Sequence, residues 1–229
     1  MNRIALVVAA HPDDEVLGCG GSMARMADEG WDVHVLILAE GATSRSPTRD
    51  RAAAGVELSA LAASAQRAGA ILGVRSVQLE AFADNRMDGV ELLDVVKRIE
   101  IAVELLRPQR VLTHHEGDLN VDHALIQRAV ATACRPLPGG SVNELLYFEV
   151  PSSTEWRTPH SARAFEPSHF VDIGATLERK LEALQAYASE MRPFPHPRSI
   201  DAVEHLARWR GASVGRQAAE AFAVGRRIE

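Results

Sequence analysis

The chain of 229 residues is 46% hydrophobic and 24% charged, a composition that provides a substantial core and does not indicate disorder. Its formal net charge of −6 argues against broad electrostatic binding of nucleic acid, which needs clustered lysine and arginine. The cysteines, Cys19 and Cys134, lack CxxC spacing, so a cytoplasmic location is the simpler interpretation. No window approaches the roughly 18 apolar residues of a membrane span, and the N-terminal segment is typical of a strand rather than a signal peptide.

Apolar runs alternate with helical patterns, which is typical of βα units and a mostly parallel sheet. The run 3–10 is almost continuously apolar, so we expect a central strand covered on both faces. We predict one α/β domain over residues 1–229, with a mostly parallel central sheet flanked by helices and a helical C-terminal region. The later predicted elements are a helix at 20–30, a strand at 33–39, a helix at 51–72, a strand at 76–80, a helix at 90–106, a strand at 110–115, a helix at 121–134, a strand at 144–150, an edge strand at 169–173, a helix at 176–190 and a helical region from 200 to 224.

Two groups of ionisable side chains follow predicted strands. The first lies in AAHPDDEVLGCGG at 9–21, where a histidine and three acids come directly after the first strand. The second begins at the end of RVLTHH. Because ligands gather beyond the carboxyl ends of parallel strands, the two groups are able to build one site. The second group consists of His114, His115, Asp118, Asn120, Asp122 and His123.

The residue types fit zinc or a similar metal with an open coordination position. Catalytic zinc commonly takes three ligands from histidine and carboxylate and leaves a fourth position to water, whereas structural zinc sites are usually rich in cysteine. His11 and Asp14 are three residues apart on a tight turn, and a distant histidine would complete the set. Asp13 should point differently from Asp14, so that one acid binds the metal and the other acts as general base. Helix capping would explain one or two of the acids but not His11.

AHPDDE together with the later VDH resembles the family of zinc-dependent N-acetylglucosamine deacetylases, which includes the PIG-L and LmbE-like proteins and the deacetylases of mycothiol and bacillithiol synthesis. The resemblance implies a Rossmann-like fold, Zn²⁺ held by His11, Asp14 and His123, and Asp13 as general base. Fe²⁺ is an alternative metal, because histidine and carboxylate ligands do not separate the two. The implied reaction removes acetyl from an N-acetylated amino sugar, free or in a nucleotide- or lipid-linked glycan precursor. Related enzymes often form oligomers, so a homo-oligomer is compatible with the resemblance.

The second motif departs from the family in one position. Many members have H-x-D-H, whereas this chain has NVDH with Asn120 first. An asparagine can donate a hydrogen bond to an oxyanion, worth about 3 kcal/mol, but it cannot supply a proton. The proton would come from Asp13 acting as acid, from His115 or from His196, and the sequence ranks the two histidines equally. Asp122 is interpreted equally well as a helix first-turn acid or as a partner that orients a ligand histidine.

Several polar residues are candidate substrate contacts. Arg45 lies just beyond the second strand, and its guanidinium suits a phosphate or a carboxylate. Asp84 and Asn85 follow the third strand and could bind sugar hydroxyls. Asp118 is assigned to the same set, and Arg198 could bind an anionic substrate.

Two other functions fit the same residues: an amidase acting on a sugar–thiol conjugate, and a non-catalytic module that binds a nucleotide sugar. A dinucleotide-binding loop at GCGG is disfavoured, because the G-x-G-x-x-G spacing is absent and the preceding acids would repel a pyrophosphate. Four further histidines have no partner motif and are expected to be structural: His34, His160, His169 and His205.

Overall fold

The computed structural model describes residues 3–158 and 163–229, so His160 lies outside the described residues. The strands form one seven-stranded sheet with helices on both faces. The elements are β1 Arg3–Ala9, α1 Asp14–Asp28, β2 Trp31–Ala39, α2 Gly55–Leu72, β3 Ser76–Phe82, α3 Leu92–Leu106, β4 Arg110–His114, α4 Val121–Ala133, β5 Glu144–Phe148, β6 His169–Asp172, α5 Leu177–Gln185, α6 Ile200–Ala212 and β7 Ala219–Arg227.

The sheet has the order β3-β2-β1-β4-β5-β7-β6, and its first five strands in that order are parallel. This confirms the predicted α/β class with a mostly parallel sheet. The sheet separates two apolar cores. Ala5, Val7 and Ala9 of β1 face the core under α1, α2, α5 and α6, whereas Leu6 and Val8 face the core under α3 and α4. Because both faces of β1 are covered, its sequence is apolar at every position from Ile4 to Ala9 rather than at alternate ones.

The predicted helical region from 200 to 224 is wrong over its second half. Helix α6 ends at Ala212. After a short turn, Ala219–Arg227 form β7, which lies antiparallel between β5 and β6. The segment AEAFAV is rich in alanine and therefore has high helix propensity. Pairing on both edges and burial of residues such as Phe222 outweigh that local preference.

Helix α1 begins earlier than predicted, at Asp14 instead of residue 20. It has a kink at Cys19, and its glycines allow close packing on both sides of that kink. A Cβ atom at Gly18 would overlap the ring of Phe148, and one at Gly21 would lie 2.8 Å from Ile173. The GCGG segment therefore lets α1 approach the sheet closely. No helix in the described part of the chain is both long and apolar enough to cross a bilayer.

Candidate metal centre and active site

The candidate site lies where two neighbouring parallel strands end. Strands β1 and β4 pair with each other, and their carboxyl ends reach the same edge of the sheet. Helices α1 and α4 start a few residues beyond them. This arrangement brings His11, Asp14 and His123 together, with one possible ligand atom from each residue within 4.8 Å of the other two. All three are buried. We refer to these three residues as the metal group.

The carboxylate of Asp14 lies between two imidazoles. Its Oδ2 is 3.1 Å from His11 Nδ1 and 3.1 Å from His123 Nε2. Among the described residues, Asp14 Oδ1 and both ring nitrogens of His123 have no hydrogen-bond partner of good geometry. Since buried polar atoms are rarely left unpaired, these atoms indicate a ligand site. Two histidines and one carboxylate are the ligands of an open catalytic metal site, so the residues fit a divalent metal.

The other ring nitrogen of His11 faces two further acids. Nε2 is 3.0 Å from Asp122 Oδ2 and 3.3 Å from Asp84 Oδ1, and these three residues form a second group able to hold a cation. Asp122 is itself held by the backbone N–H of Asn85, at 2.7 Å. A carboxylate on the far nitrogen is the usual device that orients a metal-binding histidine. Asp84 is only 2% exposed and contacts His11. A side chain that contacts substrate would be expected to face open space.

His123 has a similar partner. Its Nδ1 lies 3.2 Å from Asp118 Oδ2, and Asp118 also accepts hydrogen bonds from the hydroxyls of Ser153 and Thr154. The pKa of Asp118 is lowered to about 2, because the attraction of His123 outweighs the effect of burial. Asp118 is 1% exposed. It therefore lies behind His123, whereas the sequence placed it among the substrate contacts. Nothing in the sequence signalled the two hydroxyl residues.

Asp13 is not part of the metal group. Its Oδ2 lies 3.1 Å from Nη1 of Arg198, and its backbone has φ of 124°, in the region that favours glycine. Such a conformation costs on the order of 1–3 kcal/mol and is found most often at functional sites. The backbone N–H of Asp13 donates to Glu15 Oε2, and Glu15 Oε1 accepts from the Tyr187 hydroxyl at 2.6 Å. The sequence analysis missed both Glu15 and Tyr187.

The pKa values of the two adjacent acids, Asp13 and Asp14, are shifted in opposite directions. Burial raises the pKa of Asp13 well above its usual range, although the neighbouring guanidinium opposes this. Burial would also raise the pKa of Asp14, but His123 and His11 hold it well below its usual range. Burial alone would lower the pKa values of the two histidines. Their carboxylate partners instead raise them, to about 10 for His11 and about 9 for His123.

His114, the last residue of β4, and His115, directly after it, have different contacts. The ring of His114 stacks on His123 with 3.9 Å between centroids, and its Nε2 accepts from the Ala10 N–H. Burial and the nearby His123 lower the pKa of His114, so it is neutral. Nε2 of His115 instead lies 3.0 Å from the Arg163 carbonyl oxygen. Within the described ranges, no recorded contact joins His115 to the metal group.

The loop after α5 reaches the site through Arg198. The guanidinium of Arg198 contacts Asp13 and also donates from Nε to Ser152 Oγ at 2.8 Å. His196 lies beside it, with Nδ1 accepting from the Arg198 backbone N–H at 3.0 Å. The imidazole of His196 packs edge-on against Trp156. The loop thus reaches Asp13 through Arg198, which is engaged with this carboxylate of the protein.

The remaining predicted residues lie at the mouth of the site. Arg45 is paired with Glu190 at 2.6 Å and with Glu57. Asn120 caps α4, because its Oδ1 accepts from a backbone N–H in the first turn of that helix. Its Nδ2 donates to Asn85 Oδ1 at 2.7 Å. The structure therefore brings Asn85 and Asn120 together beside the metal group.

This combination of a mostly parallel sheet and a buried group of two histidines and an aspartate matches the family suggested by the motifs. The model of the family described as PIG-L: GlcNAc-PI de-N-acetylase matches residues 6–134, which include the whole metal group. The chain belongs to this family. The predicted family is thereby confirmed.

Individual relatives agree on the fold and differ in named activity. The chain is 28% identical over 197 residues to the diacetylchitobiose deacetylase of Thermococcus kodakarensis, covering 81% of this chain and 69% of that one. It is 28% identical over 200 residues to the 4-oxalmesaconate hydratase of Pseudomonas putida, covering 82% and 74%. The solved structure of the conserved protein TT1542 from Thermus thermophilus matches with a TM-score of 0.77 and 26% identity, covering 100% of this chain and 97% of that one.

Proposed function

We propose that this protein is a metal-dependent hydrolase that removes the acetyl group from an N-acetylated amino sugar. The observation that carries the proposal is the metal group itself, with Asp13 adjacent to it in sequence but outside it in space. The family description and the diacetylchitobiose deacetylase support the same substrate class. Zn²⁺ is the proposed metal and Fe²⁺ the alternative. The homo-oligomer and the cytoplasmic location stay predictions.

Each residue of the site has a separate role in the proposed reaction. A metal ion held by His11, Asp14 and His123 would act as a Lewis acid on the amide oxygen and would activate water. Asp13 takes the proton of the attacking water as general base, and Arg198 fixes the orientation of its carboxylate. Asn120 uses one N–H of its amide toward a neighbouring side chain. The second N–H can donate to the developing oxyanion.

The proton for the leaving amine is assigned to Asp13, which holds the proton taken from the attacking water. His196 is less suited, because its Nδ1 accepts from the Arg198 backbone N–H, and an imidazole with only one N–H is too weak an acid to protonate an amine. His115 contacts the Arg163 carbonyl oxygen instead of the metal group. As the C–N bond breaks, Asp13 returns its proton to the amine and the acyl group leaves as acetate.

A hydratase is the second candidate, because one relative of similar identity and coverage is named as one. Asp13 would again deprotonate water, which would add to a double bond instead of an amide. Products distinguish the candidates, since a hydratase releases no acetate. A sugar–thiol amidase would release acetate only from that conjugate, and a binding module would release none.

The test is acetate release from a panel of N-acetylated amino sugars by metal-stripped protein, with and without added Zn²⁺ or Fe²⁺. We expect release only with metal. Asp13→Asn should keep the bound metal and lose about 10²–10⁴-fold in kcat, the usual contribution of a general base. Asp28→Asn, at the exposed far end of α1, is the matched control and should leave kcat unchanged. An active Asp13→Asn variant would remove Asp13 from the mechanism.

A further inference from the structure

The arginines nearest the candidate site already have carboxylate partners. Arg198 is paired with Asp13 at 3.1 Å. Arg45 is paired with Glu190 at 2.6 Å and also with Glu57. Glu190 is buried, so a phosphate that took Arg45 from it would leave an uncompensated carboxylate in the protein. Neither arginine is therefore available to an anionic substrate without that cost.

Two further arginines share a single carboxylate, which balances one of their two charges. Arg49 and Arg51 both lie 2.7 Å from Glu40, a buried residue directly after β2. The metal group is also surrounded by acids, and their summed field disfavours an approaching anion. The carboxylates in contact with its histidines are Asp14, Asp84, Asp118 and Asp122.

Arg86 differs from Arg45 and Arg198. It is exposed, and its Nη2 donates to the Pro47 carbonyl oxygen at 3.1 Å. No carboxylate in residues 3–158 or 163–229 lies within ion-pair distance of it. Arg86 is therefore the residue that could bind an anion if the other arginines do not, and it serves as an internal control.

A row of uncharged polar side chains lies next to the metal group. Asn120 Nδ2 donates to Asn85 Oδ1 at 2.7 Å, and Asn85 Nδ2 donates to Ser44 Oγ at 3.3 Å. The backbone N–H of Asn85 in turn contacts Asp122, which holds His11. Ser44 and Asn85 are exposed, so their amide and hydroxyl groups can exchange these bonds for sugar hydroxyls. The row offers neutral donors and acceptors and no net charge.

We infer that the part of the substrate bound beside the metal group is an uncharged sugar, and not a sugar phosphate or a nucleotide sugar. The inference rests on the proposed deacetylation, and it narrows the substrate class. Neutral side chains provide hydrogen bonds to the sugar, while Arg45 and Arg198 are balanced by carboxylates of the protein.

The test compares two substrates that differ only in charge: the methyl glycoside of N-acetylglucosamine and N-acetylglucosamine 1-phosphate. With the metal-loaded protein, kcat/KM should be at least about tenfold higher for the neutral glycoside. Glu190→Gln and Glu57→Gln each remove one partner of Arg45 and should shift that ratio toward the phosphate by several-fold. Arg86→Gln should leave the ratio unchanged. A higher kcat/KM for the phosphate than for the neutral glycoside in the wild type would overturn the inference. So would a fall in the relative kcat/KM for the phosphate in Arg86→Gln.

A binding measurement separates this inference from the proposed function. Calorimetry on the metal-loaded protein compares the two deacetylated products, methyl glucosaminide and glucosamine 1-phosphate. Tighter binding of the neutral product supports the inference even if no acetate is released, in which case only the proposed function fails. Tighter binding of the phosphate together with acetate release overturns the inference alone. Binding of neither sugar overturns both.

Discussion

Two buried groups of charged side chains in the described part of the chain differ in how fully they are paired. Beneath α1, Lys180 donates to Glu220 at 2.5 Å and to the Leu17 carbonyl oxygen at 2.9 Å. The carboxylate of Glu220 also accepts from the backbone N–H groups of Gly21 and Ser22. The side chains of Lys180 and Glu220 are each 4% exposed. Every charge in this closed pair has its partners within the protein.

The metal group differs at the level of single atoms. Asp14 Oδ1 and Nδ1 of His114 have no hydrogen-bond partner in the described part of the chain, and the carboxylates 3.1 and 3.2 Å from the nitrogens of His123 do not have good hydrogen-bond geometry. Leaving a buried polar atom unpaired costs about 1–3 kcal/mol. Lys180 and Glu220 show that buried charges in this protein can be paired by protein groups alone, without a bound ligand. The unpaired atoms at the sheet edge therefore indicate function, whereas the closed pair indicates stability.

The largest expected effect comes from removing one ligand of the metal group. His123→Ala should abolish binding of one metal per chain and reduce acetate release by more than the about 10–100-fold typical of residues behind the ligands. Elemental analysis and acetate release measure the two quantities. The control is His34→Ala, since His34 contacts Ser76 on β3, away from the site. A His123→Ala variant that keeps its metal would contradict the assigned ligand set.

The closed pair should respond in stability instead of activity. Lys180→Met leaves the buried Glu220 carboxylate without its cation and should lower the free energy of unfolding by about 3–5 kcal/mol. Lys97→Met is the control, because Lys97 is exposed and its pair with Glu100 should matter by less than about 1 kcal/mol. Denaturant unfolding gives both values. If Lys180→Met lowered metal content and not stability, the distinction between the two groups would be lost.

Sequence reasoning works best where the information is local. His11 and Asp14 lie on one tight turn, and His123 follows the adjacent parallel strand, so spacing and sheet rules together place them at one edge. The same rules fail for β7. Its alanine-rich sequence is locally suited to a helix, and only pairing with β5 and β6 makes it a strand.

The partners of the site residues were beyond such rules. Arg198 and Asp13 are 185 positions apart, and the sequence contains no signal that one would hold the other. The same is true of Asp84, which the sequence placed at the substrate and the structure places against His11. Long-range pairing depends on how loops pack after the sheet has formed. Sequence motifs therefore point to the candidate ligand residues more readily than to the residues that orient them.

The smallest expected effect is a difference in proton uptake between the two groups. In the metal-free protein the pKa values of His11 and His123 are raised to about 10 and about 9, so both rings are protonated near neutral pH. Metal ligation requires neutral imidazoles. Zinc binding near pH 7.5 should therefore release up to about two protons per chain, which calorimetry in buffers of different ionisation enthalpy measures. Zinc binding without proton release would show that the histidines are already neutral.

The same shifts fix the sign of the pH dependence of stability without metal. A histidine whose folded pKa is raised contributes stability that is complete below its unfolded value of 6.5. That contribution is lost as the pH rises through about 9 for His123 and about 10 for His11. The stability advantage of metal-free wild type over metal-free His123→Ala should thus decline between about pH 6.5 and about pH 9.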